Sequence, residues 1–493
     1  MAAANKNYVC LSDLHLGAKY SVLSARDEAG QYLAATPSDC LNALAASLRQ
    51  YLPRVFETPP VLVLMGDCLD FDFGTLPDIA EAFRSLISAF FPAKQTPVFD
   101  ASEIIVIPGN HDHRLWQYEK DRLFIRHYPQ IAHYQTTRLF TTEGIDSYFL
   151  NSLVAQHAAG AAPHINLYYP NYGLESADGQ RQVILHHGHF IEGLYRLISR
   201  LQEFLNTQFL PHRDIPPEPI LEVERLERDN AGWIDFLWSG LGMTNAGAAN
   251  ASWLYDIMQD PAASQQYLRK FADLLCDYLS RHYGVNPRAG IKQLGNLSVN
   301  SLVTSLLDAG FGKAFQGERM SYHDILSAKG ISGLRWYLQG PVLEQIKCER
   351  LLGNGNELKH TSFVFGHTHK PFQQRLPVDG FDKPPSVFNT GGWVVDEPGL
   401  TVQQGAAAVF IDSECRVASL RLFQDPVNAE ITPVSVQGVD DADPGAVLRQ
   451  RMQQALDAAH WETFSQAVAT AIQQRAQATY RKFFDPNSNT GMP

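Results

Sequence analysis

The first third of the chain alternates short apolar, β-rich runs with amphipathic stretches, the pattern of an α/β architecture. Residues 8–11, 61–65 and 103–107 read as buried strands, and 38–52 and 79–91 carry apolar residues at helical spacing. Each strand closes in a polar cluster: Ser12-Asp13-Leu14-His15, then Gly66-Asp67-Cys68-Leu69-Asp70, then Gly109-Asn110-His111-Asp112. A fourth strand, 181–185, ends in His186-His187-Gly188-His189. Open α/β sheets place their sites outside the carboxyl ends of strands, so these four clusters are the first place to look for chemistry.

From Phe190 to about Lys359 strand-like runs stop. Phe190, Ile191, Leu194, Leu197, Ile198, Leu201, Phe204 and Leu205 recur at helical spacing, and 267–283, 297–307 and 342–352 behave similarly. A stretch of about 170 residues is too long for a loop, so 190–360 is predicted to be a helical insertion. Its apolar face, and the aromatics Trp233, Phe236, Trp238, Trp253 and Tyr255, read first as the insertion's own core. An apolar acyl or nucleoside pocket is the alternative. Strand character returns at 362–365, ending in Gly366-His367-Thr368-His369, and continues at 387–388, 407–411 and 417–423. A Pro- and Asp-containing linker is expected over 426–444 and a helical segment over 446–484. The predicted units are therefore 1–189 with 361–425, the insertion 190–360, and the segment 426–493.

Composition narrows the function classes. The 493 residues include 40 Lys plus Arg against 52 Asp plus Glu, a net charge of -12 that disfavours duplex nucleic acid as a partner. Six widely spaced cysteines with no CxxC pair suggest neither a disulfide framework nor a thiolate zinc site. No apolar run of signal-peptide length opens the sequence and no 18-residue apolar stretch occurs, so a cytoplasmic protein without a transmembrane segment is expected.

Five strand-end clusters offer Asp, His and Asn side chains and no thiolate, a donor set suited to Mn, Fe, Zn or Mg. One Asp-x-His or Gly-Asp arises easily in a turn; five in succession, each closing a strand, point to a metal site assembled from several loops.

The ordered series Asp13-Leu14-His15, Gly66-Asp67-Cys68-Leu69-Asp70, Gly109-Asn110-His111-Asp112, His187 and Gly366-His367-Thr368-His369 resembles the motifs of the calcineurin-like metallophosphoesterase superfamily, across residues 7–189 and 361–423. The resemblance implies a four-layer α-β-β-α sandwich and two divalent transition-metal ions, manganese first, with iron or zinc as alternatives. It makes Asp13, His15 and His369 ligands of one metal, Asn110, His187 and His367 ligands of the other, and Asp67 the bridge. For the fourth motif His186 and His189 are the alternatives; strand alternation turns His186 and His187 to opposite faces, and the family's H-G-H pattern selects His187. A metal-bridging hydroxide is the implied nucleophile. His111 is implied as general acid to the leaving group, with Asp70 accepting a hydrogen bond from its other nitrogen. Asp112 reads as a turn stabiliser, Cys68 as packing, and His113 with Arg114 as phosphate contacts or a solvated loop. Asn389-Thr390-Gly391-Gly392-Trp393 reads as support for the site.

Departures from subfamily patterns narrow the substrate. Protein Ser/Thr phosphatases of the family carry Arg-Gly where Phe71-Asp72 stands here, purple acid phosphatases a tyrosine at Leu69 or Asp70, and recombination nucleases a histidine at Asp70. The bacterial branch opening S-D-L-H-L is nearest, although its UDP-2,3-diacylglucosamine pyrophosphatases have Arg where His111 stands. The expected function is hydrolysis of a small or lipid-linked phosphodiester or pyrophosphate, with the insertion as a cap. A regulatory or scaffold protein on an inherited metal fold, binding through the insertion, is the alternative.

Overall fold

The structure is a computed structural model of the chain and describes residues 6–27, 32–127, 135–157, 162–196, 198–200, 220–239, 325–350, 360–395 and 399–484. Two sheets lie face to face. In the larger, β1 (Tyr8–Leu11) stands at the centre; β2 (Ser24–Arg26) and β3 (Tyr32–Pro37) form a short separate pair. On one side of β1 run β4 (Val61–Leu64), β5 (Glu103–Val106) and β7 (His164–Leu167), all parallel, with β6 (Ile145–Asp146) antiparallel at the edge. The smaller sheet has β8 (Asn171–Glu175), β9 (Arg181–His186), β10 (His360–Phe365), β12 (Ser386–Asn389) and β11 (Phe372–Arg375), with β9, β10 and β12 parallel. β13 (Gly405–Ile411), β14 (Val417–Gln424) and β15 (Ser435–Gln437) complete the other side of the larger sheet.

Residues two apart on a strand face the same way, and here the two faces enter different cores. Tyr8, Cys10, Val61, Val63, Met65 and Ile105 meet Val183, Leu185, Val364 and Phe388 between the sheets. Val9, Leu11, Leu62 and Leu64 turn outward, where α1 (Asp39–Val55) and α2 (Leu76–Phe90) cover them. Both helices begin where a hydroxyl caps them: Ser38 accepts from the Leu41 amide and Thr75 from the Asp78 amide. Outside the smaller sheet, α6 (Ala328–Tyr337) sets Tyr337 against His186 and Phe363. The result is the expected order of layers, helix, sheet, sheet, helix.

Among the described residues from 190 to 350 there is no strand. They hold α5 (Glu222–Ser239), α6, and α7 (Leu343–Glu349), the last two joined by a π-helical turn at Leu338–Val342. The continuous helix expected from Phe190 does not form. Two 3-10 turns, His189–Ile191 and Gly193–Arg196, replace it, because Glu192 between them is extended (φ -88°, ψ 138°). Phe190, Ile191, Leu194 and Tyr195 are buried in the helix-side core, in one cluster with residues of the sheets; Leu197, Leu201, Phe204, Leu205, Trp253, Tyr255 and the helices expected at 267–283 and 297–307 lie outside the described residues.

The expected linker is also more ordered than its composition suggests, since β15 pairs with β14 inside it. Beyond it, α8 (Ala446–Ala455) and α9 (Glu462–Phe484) pack on α1. Arg475 of α9 is buried and donates to the carbonyls of Ser21 and Ser24, 2.9 and 2.7 Å away. The C-terminal segment is thereby tied to the loop that follows the first site motif. No helix among the described residues is long and apolar enough to cross a membrane.

Candidate metal centre

The loops after β1 and β4 continue side by side beyond the sheet. Asp13 N donates to Gly66 O at 3.0 Å and His15 N to Asp67 O at 2.9 Å, so each residue of one motif is held by the backbone of the other. The second sheet joins through Gly366 N to His187 O at 2.7 Å and through the His367 amide, which donates to the Asp13 carboxylate at 2.9 Å. Trp393 N closes the ring by donating to Asp13 O at 3.0 Å. Asn389 Nδ2 holds the Gly366 carbonyl at 2.7 Å, which is how the Asn389–Trp393 stretch supports the site.

Five of the seven described non-glycine residues with left-handed backbone are Asp13, His15, Asp67, His367 and His369. That conformation is unfavourable for L side chains and survives where the surrounding structure imposes it, commonly at functional sites. Here the imposed turns bring side chains from the loops after β1, β4 and β10 to one place. Close approach also explains a motif glycine. A Cβ on Gly66, which has φ of +79°, would lie 2.5 Å from the His187 ring.

Three clusters result among the described residues, one of them His15 with Asp70 and His111. Of the other two, the first is Asp13, His15 and His369, which offer ligand atoms within 4.8 Å of one another, and the second is Asp67, His187 and His367, which do the same. All six are buried, and Asn110 joins the second cluster with its Oδ1 3.2 Å from His187 Nε2. The imidazole tautomers suit a cation. His15 Nδ1 lies 2.8 Å from Asp70 Oδ2 and donates to it, which leaves Nε2 as a lone pair; that atom is buried with no hydrogen-bond partner. His187 Nδ1 lies 3.0 Å from the Met65 carbonyl, which can only accept. Its Nε2 therefore faces Asn110 Oδ1 and, at 3.1 Å, Asp67 Oδ2. Three acceptors converging in this way need a positive charge between them, a proton or a cation.

The electrostatics agree. Burial opposes ionisation of Asp67, but His187 and His111 outweigh it and hold the carboxyl well below its ordinary range. Burial likewise opposes charge on His187, and the Asp67 carboxylate overcomes it, raising the imidazole to about 9. A site that retains protons so strongly is one in which divalent cations displace protons on binding.

His111 stands beside the first cluster, its ring centroid 4.9 Å from that of His15, and its amide donates to Asp67 Oδ1 at 2.8 Å. Asp70, the expected partner of His111, is one of two acidic side chains that face its Nδ1. Asp70 Oδ1 is 3.8 Å from His111 Nδ1 and accepts from the amides of Asp72 and Phe73, while its other oxygen serves His15. The nearest carboxylate to His111 Nδ1 is Asp72, at 2.8 Å and buried. Burial works against charge on His111, yet Asp67, Asp70 and Asp72 together hold its pKa well above the usual value. Asp72 was not singled out from sequence; only its position two residues after Asp70, in the same loop, could have drawn attention to it.

Asp112 is the turn stabiliser expected, accepting from the amides of Gly109, Asp67, Cys68 and Leu69. His113 is neither a phosphate contact nor part of a solvated loop. It is buried at the start of α3 (His113–His127), between Asp235 at 2.8 Å and Glu227 at 3.2 Å, because α5 of the insertion lies over it. His186 packs in an aromatic cage of Phe190, Tyr337 and Phe363, and His189 packs edge-on to Tyr195.

A family model described as calcineurin-like phosphoesterase matches residues 7–255. No curated protein matches the chain. Among solved structures, a dimetal phosphatase from Danio rerio aligns with 89% of this chain and 97% of its own length, at 11% identity and a TM-score of 0.27.

Proposed function

Since the chain belongs to the calcineurin-like phosphoesterase family and carries that family's metal-dependent phosphoester chemistry, we propose that it hydrolyses a small or lipid-linked phosphodiester or pyrophosphate. Asp13, His15 and His369 would hold one divalent cation, Asn110, His187 and His367 would hold a second, and Asp67 would be shared between them. Manganese suits these nitrogen and oxygen donors, with iron or zinc as alternatives. A cation pair held there supplies Lewis acidity toward phosphoryl oxygens and makes a shared water acidic enough to yield hydroxide as the nucleophile.

The carrying observation is that Asp67 Oδ2 and Asn110 Oδ1 both lie within 3.2 Å of His187 Nε2, on carbonyl-fixed imidazole geometry. The protein's own part in the reaction follows from His111. With Nδ1 directed at Asp72, Nε2 is the nitrogen available to give a proton to the departing oxygen, and the charges of Asp67 and Asp70 keep His111 protonated; Asp72 itself is pushed up by burial to about 8. Asp72 positions the ring; Asp70 positions His15. A scaffold would have no need of a protonated histidine held in this way, which favours the enzyme over the binding-module alternative.

The units carrying this activity are taken as 1–189 with 361–425, covered by the insertion 190–360 and followed by 426–493. The stems of the insertion leave and re-enter within a few residues of His187 and His367, which favours small or flexible substrates over duplex nucleic acid. The five described cysteines, all free thiols, fit a reducing cytoplasmic setting. The test is turnover of bis-p-nitrophenyl phosphate with Mn2+ before and after chelation. His111→Ala should keep both ions and lose roughly 10²- to 10⁴-fold in rate on diesters with poor leaving groups. The loss should shrink with p-nitrophenolate, which departs without protonation; equal losses on both substrates would sink the acid role.

A further inference from the structure

The fourth and fifth motifs account for His187 and His367, but the chain between them begins by adding a carboxylate. Glu192 Oε1 lies 3.3 Å from His367 Nε2, and the Glu192 side chain is only 13% exposed. It reaches there because Glu192 is the extended residue separating the turns His189–Ile191 and Gly193–Arg196. The same short segment sets Tyr195 edge-on against the His367 ring, with centroids 5.3 Å apart. From behind, α6 fixes the segment: a Cβ on Gly333 would collide with the Ile191 carbonyl, so the helix backbone rests directly on the turn that presents Glu192.

We infer that Glu192 is a positioning residue for the second cation, accepting from His367 Nε2 and so turning the ring's other nitrogen toward Asp67 and His187. The inference rests on the dinuclear reading above and extends it: the first residues of the insertion become part of the metal centre, so metal binding and seating of the insertion are coupled. A carboxylate hydrogen-bonded to a ligating imidazole fixes the tautomer and raises the basicity of the metal-facing nitrogen, and removing such a partner typically costs about 10- to 100-fold in metal affinity. His15 already shows the arrangement, with Asp70 as its carboxylate.

The test uses the full chain, stripped with chelator and titrated with Mn2+ while bound ions and the exchange-coupled signal of a Mn pair are followed. Wild type should take two ions. Glu192→Ala should bind one ion with unchanged affinity and the other about 10- to 100-fold more weakly, with the pair signal lost and the melting temperature of the stripped protein unchanged. Glu192→Gln, which keeps an acceptor oxygen, should lose less. If Glu192→Ala bound two ions as tightly as wild type, or weakened both equally with a lower melting temperature, the positioning role would be overturned. If wild type itself failed to take two ions, the dinuclear reading would fall first.

Discussion

Asp67→Asn should fold, retain at most one ion per chain and lose diester hydrolysis to near background, a larger loss than any other single substitution in the site. Among the described residues, Asp67 is the only carboxylate that faces the second cluster at His187 and also receives the His111 amide, through its two oxygens at 3.1 and 2.8 Å. Asn keeps the shape and one acceptor, so the amide contact and the buried packing survive. What disappears is the negative charge that two cations about 3.5 to 4 Å apart need between them to offset their mutual repulsion. Loss of cation binding removes several kcal/mol of transition-state stabilisation, which is on the order of 10³-fold or more in rate. The charge on His111 should weaken as well, because Asp67 is the foremost carboxylate sustaining it. The checks are metal content after gel filtration and the diester rate under saturating Mn2+. A variant that retained two ions and more than about a tenth of the rate would remove Asp67 from the bridging position.

The ligand-bearing loops were legible because their chemistry is local. A strand that ends in Gly-Asp or Asp-x-His announces both the end of the sheet and the donor, and β1, β4, β5 and β10 lie within two residues of where the apolar runs placed them. Partner choice across space was not legible in the same way. Asp70 and Asp72 are two residues apart in one turn, and nothing in their spacing reveals that Asp72 comes nearer to His111 while Asp70 Oδ1 accepts from the amides of Asp72 and Phe73. Glu192 was hidden for a related reason. The apolar spacing after Gly188 reads as helix, in which Glu192 would be one more polar face position, whereas the break into two 3-10 turns gives it an extended backbone and a path to His367. The role of α9 in bracing the first motif's loop through Arg475 depends on contacts more than 450 residues apart in sequence, beyond any window of periodicity.

Glu227→Ala should destabilise the protein by about 3 to 5 kcal/mol, the cost typical of leaving a buried charge without its partner. Glu227, in α5, is fully buried and gathers three groups from the catalytic unit. His113 lies 3.2 Å away, Lys120 Nζ 3.2 Å away, and the Tyr169 hydroxyl donates at 3.0 Å while itself lying 3.4 Å from His189 Nε2. Asp235, one helical turn pair further along α5, holds the other nitrogen of His113 at 2.8 Å. Burial alone would keep His113 neutral, but Glu227 and Asp235 outweigh it and raise its pKa from 6.5 to about 9. Burial also keeps His189 neutral and Tyr169 protonated, so neither offsets the charge on His113 in this range. A group whose folded pKa lies above its unfolded value stabilises fully below the unfolded pKa and loses that contribution as pH rises through the folded one. His113 should therefore contribute up to about 3 kcal/mol below pH 6.5, declining toward pH 9. Denaturant midpoints of wild type and Glu227→Gln at pH 6.5 and 9 separate this contribution from other histidines. The gap between the two proteins should narrow as pH rises, since Gln removes the carboxylate that makes the charge on His113 favourable. A gap that stayed constant across that range would mean that the tie between α3 and the insertion is packing alone.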